Sequence, residues 1–232
     1  MPQSTAQIPE PQDQNSNPPQ PAATRTRLLD AAEVLFAERG FESVSLRHIT
    51  TDADVNLASV NYHFGSKEAL IDEVIARRIQ PINQLRLQLL DQCIAASGNQ
   101  PLTLEMIVDC FVTPVIDTVC DSSHSERLYS RLMSRCLAES TDRFPDVLIK
   151  QFTEVIERFV GEMSRAMPSV TPEVHQLRIL FMAGAMAHSL FHFDKLPCAV
   201  GTNTPPPNMA ILKGEMINFI AAGLNAPSKS KS

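Results

Sequence analysis

Apolar residues recur at three- and four-residue steps along most of the chain from Thr24 onward, and no segment sustains the two-residue alternation of a strand. The pattern therefore predicts an all-α protein. A first amphipathic helix turns Leu28, Ala32, Leu35 and Phe36 to a core and ends at Gly40. Ser45 is placed to cap a short helix carrying Leu46, Ile49 and Ala53. The chain must then reverse at Asp54, one of the few non-glycine types that tolerates a left-handed backbone. Asn56 caps a second short helix from Leu57 to about His63, with Val60 and Phe64 facing inward. Ser66 opens a long helix reaching about Ala95, where Pro81 threatens a kink or break. Further helices are predicted at 102–120, 124–140, 144–166, 172–193 and 207–223, with a loop at 194–206. Thr171-Pro172-Glu173 is a start signal and Gly223 a stop.

The two short helices leave Leu57, Ala58, Ser59, Asn61, Tyr62 and His63 outside the core. Small and polar side chains on an exposed helix can hydrogen-bond base edges and phosphates and touch thymine methyls. The same pattern also suits a helical hairpin that merely packs, so spacing alone leaves both readings open.

The flanks bear on that choice. The elements A-A-x-x-L-F-A-E-R-G-F, L-R-x-I and V-N-x-x-x-V-x-Y-H-F-G-S-K-E-A-L, all between residues 24 and 75, resemble the TetR family of bacterial transcriptional regulators. The sub-pattern V-N-Y-H-F-G-S-K looks like its PsrA-like, fatty-acid-responsive branch. The resemblance implies an N-terminal three-helix helix-turn-helix domain followed by a larger helical domain for ligand binding and dimerisation. It places Leu57, Ala58, Ser59, Tyr62 and His63 on the recognition helix, with Asn61 among them, and Arg47 within reach of a base or phosphate. Ser45 and Lys67 match positions that hold the DNA backbone. Two positions depart from the family pattern. Asp54 stands where glycine is usual, and Asn61 stands where many relatives have a phosphate-binding tyrosine, moving the aromatic contact to Tyr62. The expected organisation is a disordered tail at 1–23, a DNA-binding domain at 24–70, a ligand-binding and dimerisation domain at 71–225, and a second tail at 226–232.

Charge qualifies the DNA reading. Between Thr24 and Lys67 lie Arg25, Arg27, Arg39, Arg47 and Lys67 against Asp30, Glu33, Glu38, Glu42, Asp52 and Asp54, and the whole chain carries −6. Nonspecific affinity for DNA comes largely from cations replacing condensed counterions, so this module needs base contacts and a second copy. An inverted-repeat operator bound by a dimer with modest salt dependence is the expectation. No apolar run is long enough to span a membrane, no signal peptide is evident, and the odd set Cys93, Cys110, Cys120, Cys136 and Cys198 lacks C-x-x-C pairing. A cytoplasmic protein with reduced thiols is expected. The tail at 1–23, with six prolines, five glutamines and no Lys or Arg, cannot bury enough surface to order itself.

All eight non-initiator methionines and eight of the eleven phenylalanines lie after Leu70. Such residues fill cores, and they also line cavities for apolar ligands. Phe111, Val115, Met133, Cys136, Phe152, Phe159, Phe181 and Met182 are the candidate lining, with Pro114 expected to free the Cys110 carbonyl and bend its helix. His188 and His192 share metal-ligand spacing, but their flanks Leu190, Phe191 and Phe193 favour an interface or core edge, and no metal or other cofactor is assigned. His124, Arg127 and Arg131 read as a solvated or ion-paired face. In the resembling family the last two long helices pair across a two-fold axis. The resemblance thus makes Leu177, Gly184, His188, Phe191, Leu212, Met216 and Phe219 the candidate dimer interface. Together these features predict a one-component switch: a dimer bound to double-stranded DNA and released by a small-molecule effector. A long-chain acyl compound is suggested by the branch resemblance and the Met/Phe-rich domain. The contending readings are an all-α enzyme or small-molecule carrier, and a metal- or redox-sensing DNA-binding regulator.

Overall fold

The computed structural model describes residues 21–98, 100–120, 124–138, 144–191 and 208–227. Within them the chain forms α1 (Pro21–Arg39), α2 (Leu46–Asp52), α3 (Leu57–His63), α4 (Lys67–Ala96), α5 (Leu104–Cys120), α6 (His124–Ala138), α7 (Phe144–Ala166), α8 (Pro172–Phe191) and α9 (Met209–Leu224), with no strand among the described residues. α1 begins inside the stretch expected to be a tail. The expected loop at 194–206, His192, Phe193, Cys198 and the side chains of Cys120 and His124 lie outside the described residues, as do residues 1–20 and 228–232.

α1, α2 and α3 pack around Leu28, Phe36, Phe41, Val44, Ile49 and Val60, all 1% exposed or less. α5 is the centre of the larger domain. It touches α4, α6, α7, α8 and α9, and Ile107, Val108, Phe111, Val112, Val115 and Ile116 are all buried along it. The two domains share α4. Its first half is tied to α1 by Arg25–Glu73, by Asp30–Arg77 (2.6 Å) and by Glu33–Arg78 (2.6 Å). Glu33 is only 2% exposed, so this last pair is buried between the helices.

α4 does not break at Pro81. Proline there removes one intrahelical bond, yet the flanking turns are held from outside the helix. Asn83 donates to the Gln151 carbonyl of α7 (2.8 Å), and Gln80 donates to the Gln151 side chain (3.3 Å). α5 likewise runs through Pro114. Side chains reach two carbonyls of this stretch: that of Phe111 accepts from Arg86 Nε at 2.8 Å, and that of Pro114 accepts from the Thr118 hydroxyl at 2.8 Å. α9 is anchored at its C-terminal end, where buried Arg178 donates to the carbonyls of Leu224 and Ala226.

Candidate nucleic-acid interface and effector cavity

The turn between α2 and α3 follows from its side chains. Ser45 Oγ accepts from the His48 amide, and the Ser45 amide donates to His48 Nδ1, a capping box in which histidine replaces the usual Glu or Gln. α2 ends in a Schellman arrangement. The Val55 amide donates to the Thr50 carbonyl (2.9 Å), the Asp54 amide to Thr51 (3.2 Å), and Asp54 sits at φ +49°. It is the sole non-glycine residue at positive φ among those described. Arg27 of α1 secures the turn by donating to the Asp54 carbonyl at 2.9 Å. Asn56 Oδ1 then accepts from both the amide and the hydroxyl of Ser59, opening α3. Gly65, at φ +78°, closes α3 before Ser66 caps α4.

This construction sorts the expected DNA-contacting residues. Val60 is fully buried and Phe64 packs on the core beneath Arg25, while Leu57, Ala58, Asn61 and Tyr62 are exposed. Tyr62 is 80% exposed and meets only the edge of His63, 4.9 Å between ring centroids. Ser45 and Arg47 are exposed; His63 and Lys67 are half-buried. Ser59 is half-buried and its hydroxyl is engaged by Asn56, which the pattern of types did not reveal. Of the five cations counted in the module, Arg25 and Arg27 are spent on Glu73 and Asp54. Arg47 and Lys67 enter no salt bridge among the described residues.

A cavity of about 530 Å³ lies between α4, α5, α6, α7 and α8. Phe111, Val115, Met133, Cys136 and Phe152 line it. Three expected lining residues do not. Phe159 is fully buried behind Phe111, stacked edge-on at 5.2 Å; Met182 is buried elsewhere in the core; Phe181 is 66% exposed on the outer face of α8. Conversely Gly184 and Phe191, expected at a dimer interface, border the cavity, and Phe191 packs against Tyr129. Met216 is buried in the core and Leu212 is half-buried. Leu177, His188 and Phe219 remain exposed.

The wall also contains residues that composition did not suggest: Ile79, Ile82 and Arg86 of α4, Tyr129 of α6 and Gln176 of α8. A signal was present. Ile75, Ile79, Ile82, Arg86 and Leu90 form one helical stripe, and the arginine stands in it where an apolar residue belongs. Arg86 is 1% exposed. Burial pulls its guanidinium down to about 10, opposed by the Tyr129 phenol beside it, so it stays cationic at neutral pH.

Helix packing also joins residues far apart in sequence. Cys93 and Cys110 bring their sulfurs to 3.4 Å across α4 and α5. Burial, and the Cys93 thiol next to it, push Cys110 up to about 12, which suppresses the thiolate that redox chemistry needs. No cluster of three or more metal-ligating side chains occurs among the described residues. No helix described is long and apolar enough to cross a membrane.

Residues 28–74 match the family of bacterial regulatory proteins of the tetR family, and residues 109–223 match the tetracyclin repressor-like C-terminal domain. The chain belongs to the TetR family. It is 30% identical over 132 residues to the HTH-type transcriptional repressor KstR2 of Rhodococcus jostii strain RHA1, covering 56% of this chain and 60% of that protein. To the HTH-type transcriptional regulator UidR of Escherichia coli K12 it is 29% identical over 115 residues, 44% of this chain and 59% of the relative. The chain thus spans about three-fifths of the length of these curated relatives. Among solved structures, NalD, the secondary repressor of the MexAB-OprM multidrug efflux pump in Pseudomonas aeruginosa, shares the fold at a TM-score of 0.60 and 20% identity, over 88% of this chain and 98% of that one. A TetR-like regulator from Rhodococcus sp. RHA1 does so at 0.57 and 17%, over 91% and 100%.

Proposed function

We propose that the protein is a ligand-responsive transcriptional repressor. It binds an inverted-repeat operator as a homodimer and is released by a small, largely apolar effector. The observation that carries this reading is α3, a short helix capped at both ends that holds Leu57, Ala58, Asn61 and Tyr62 exposed while Val60 and Phe64 root it in the core. An exposed aromatic, an amide and two small apolar groups make a base-reading surface rather than a catalytic one. KstR2 and NalD are repressors, which supports this direction of regulation, and a cytoplasmic location goes with it.

The connections between cavity and DNA-binding module supply a mechanism. α6 carries Tyr129, Met133, Cys136 and Leu137 in the cavity wall, and Arg135 of the same helix donates to the Glu38 carbonyl at the end of α1 (3.2 Å). α4 carries Ile79, Ile82 and Arg86 in the wall, and its first half is ion-paired to α1. An effector that prefers a shifted α4 or α6 therefore moves the whole α1–α3 module. In a dimer that changes the distance between the two recognition helices, which must match successive major grooves. Equal affinity for both states would shift nothing.

The dimer face is the outer side of α8 and α9. Leu177, Leu180 and Phe181 on one helix and Ile211 and Phe219 on the other are each more than half exposed. A Cβ added at Gly223 would meet nothing within 4 Å among the described residues, so no packing there demands glycine, and its absence of a side chain suits close approach of a second copy.

Selection of bound sequences from random duplexes tests the reading. An enriched inverted repeat is expected, with Tyr62→Ala lowering affinity for it about tenfold or more while leaving the melting temperature unchanged. Recovery of no enriched sequence would overturn the assignment.

A further inference from the structure

Apart from the Tyr129 hydroxyl and the Gln176 amide, the described cavity wall is apolar except at one charged place. Arg86 sits there almost without solvent contact, next to two aromatic rings: Cζ lies 4.1 Å from the Phe111 centroid and 5.5 Å from that of Phe152. A guanidinium has five N–H donors. Nε donates to the Phe111 carbonyl (2.8 Å) and Nη1 to Asn83 Oδ1 (2.9 Å), while Nη2 meets only the thioether of Met186 (3.8 Å). One N–H on each of Nη1 and Nη2 is left without an acceptor among the described residues, and no described carboxylate pairs with the charge. A buried arginine elsewhere in a protein is ordinarily matched by an anion, and this one faces a space large enough for a small organic molecule.

We propose that Arg86 is the anion-binding residue of the cavity and that the effector is an amphipathic carboxylic acid. Its carboxylate accepts from the free N–H groups of Nη1 and Nη2, displacing the weak Met186 contact, while its hydrocarbon part lies along Phe152, Met133 and Ile156. Two parallel N–H···O bonds suit the planar guanidinium fork, and the bonds to the Phe111 carbonyl and to Asn83 orient it before the ligand arrives. Tyr129, already close enough for its phenol to act on the Arg86 charge, stands at the same end of the wall. The entry side is marked by Leu137 and Ile149, apolar residues that are 48% and 60% exposed. This assignment rests on the cavity being the effector site.

The test uses the full chain and straight-chain carboxylic acids, each matched with the primary alcohol and the alkyl phosphate of the same length. Binding is read by displacement of a neutral solvatochromic dye and by release of selected operator DNA. The wild type is expected to bind the acid at least about tenfold more tightly than the alcohol. Arg86→Met is expected to abolish that preference while still binding the alcohol, and Arg86→Lys to keep part of it. Equal binding of acid and alcohol by the wild type overturns the proposal without any variant, so a poorly folding Arg86→Met does not protect it. Preference for the phosphate overturns the carboxylate assignment. A purely structural arginine would lower the melting temperature when replaced but leave acid and alcohol indistinguishable in the wild type. If the dye enters and a neutral compound releases the operator while no acid binds, the acid proposal falls and the sensor reading stands. If no dye enters, the cavity reading itself falls, and this proposal with it.

Discussion

Asp54 carries a conformational cost that glycine would avoid, because its φ of +49° brings an L side chain close to its own backbone. The Arg27 contact that holds the turn goes chiefly to the Asp54 carbonyl, which any residue supplies. Asp54→Gly is therefore expected to raise the unfolding free energy by about 0.5 kcal/mol, and Asp54→Val to lower it by about 2 kcal/mol, both measured by denaturant titration. His175 carries a cost of a different kind. It is fully enclosed, and burial lowers its pKa below the ordinary 6.5, with Arg178 beside it acting in the same direction. The Met167 and Val170 carbonyls oppose the shift, yet neither ring nitrogen makes a well-formed hydrogen bond. The neutral ring is thus the form that folding selects. Its contribution is intact above the unfolded pKa and lost as pH falls through the lower folded value. The melting temperature should drop as pH falls below the ordinary histidine value of 6.5, and His175→Leu should flatten that slope.

At the scale of elements, the junction of α1 with α4 decides how the DNA-binding module is carried. Three ion pairs span it, two with substantially exposed partners and one, Glu33–Arg78, enclosed. Exposed pairs contribute little, whereas removing one partner of an enclosed pair strands a charge. Glu33→Gln is expected to cost about 3 kcal/mol in thermal or denaturant unfolding, while Asp30→Asn should change stability by less than about 1 kcal/mol. The helices themselves were legible in the chain. Caps at Ser45, Asn56 and Ser66 lie where their side chains predict, because capping is a contact within three residues. Pro81 and Pro114 were harder to read. Whether a helix survives a missing hydrogen bond depends on what packs beside it, and those partners, Gln151 and Arg86, are distant in sequence.

For the whole molecule, the outer faces of α8 and α9 set the assembly. Phe181 and Phe219 are 66% and 74% exposed, so replacing them disturbs no core. The double variant Phe181→Glu and Phe219→Glu is expected to sediment as a folded monomer and to lose operator affinity by about a hundredfold or more, measured by ultracentrifugation and DNA titration, since one module offers few unpaired cations. An unchanged dimer would move the interface elsewhere.

The amino-acid sequence by itself determined the all-α character, the capped pair of short helices and the left-handed Asp54, because each rests on hydrogen bonds or periodicity within a few residues. It also separated the buried Val60 from the exposed Tyr62, since a seven-residue helix has little freedom once its caps are fixed. Tertiary structure alone decided the cavity. Phe159 and Phe152 differ little in type or spacing, yet one is sealed behind Phe111 and the other faces open space, because five helices from distant parts of the chain converge there. The apolar stripe of α4 marks Arg86 as enclosed, but the same convergence alone left it without a carboxylate partner among the described residues.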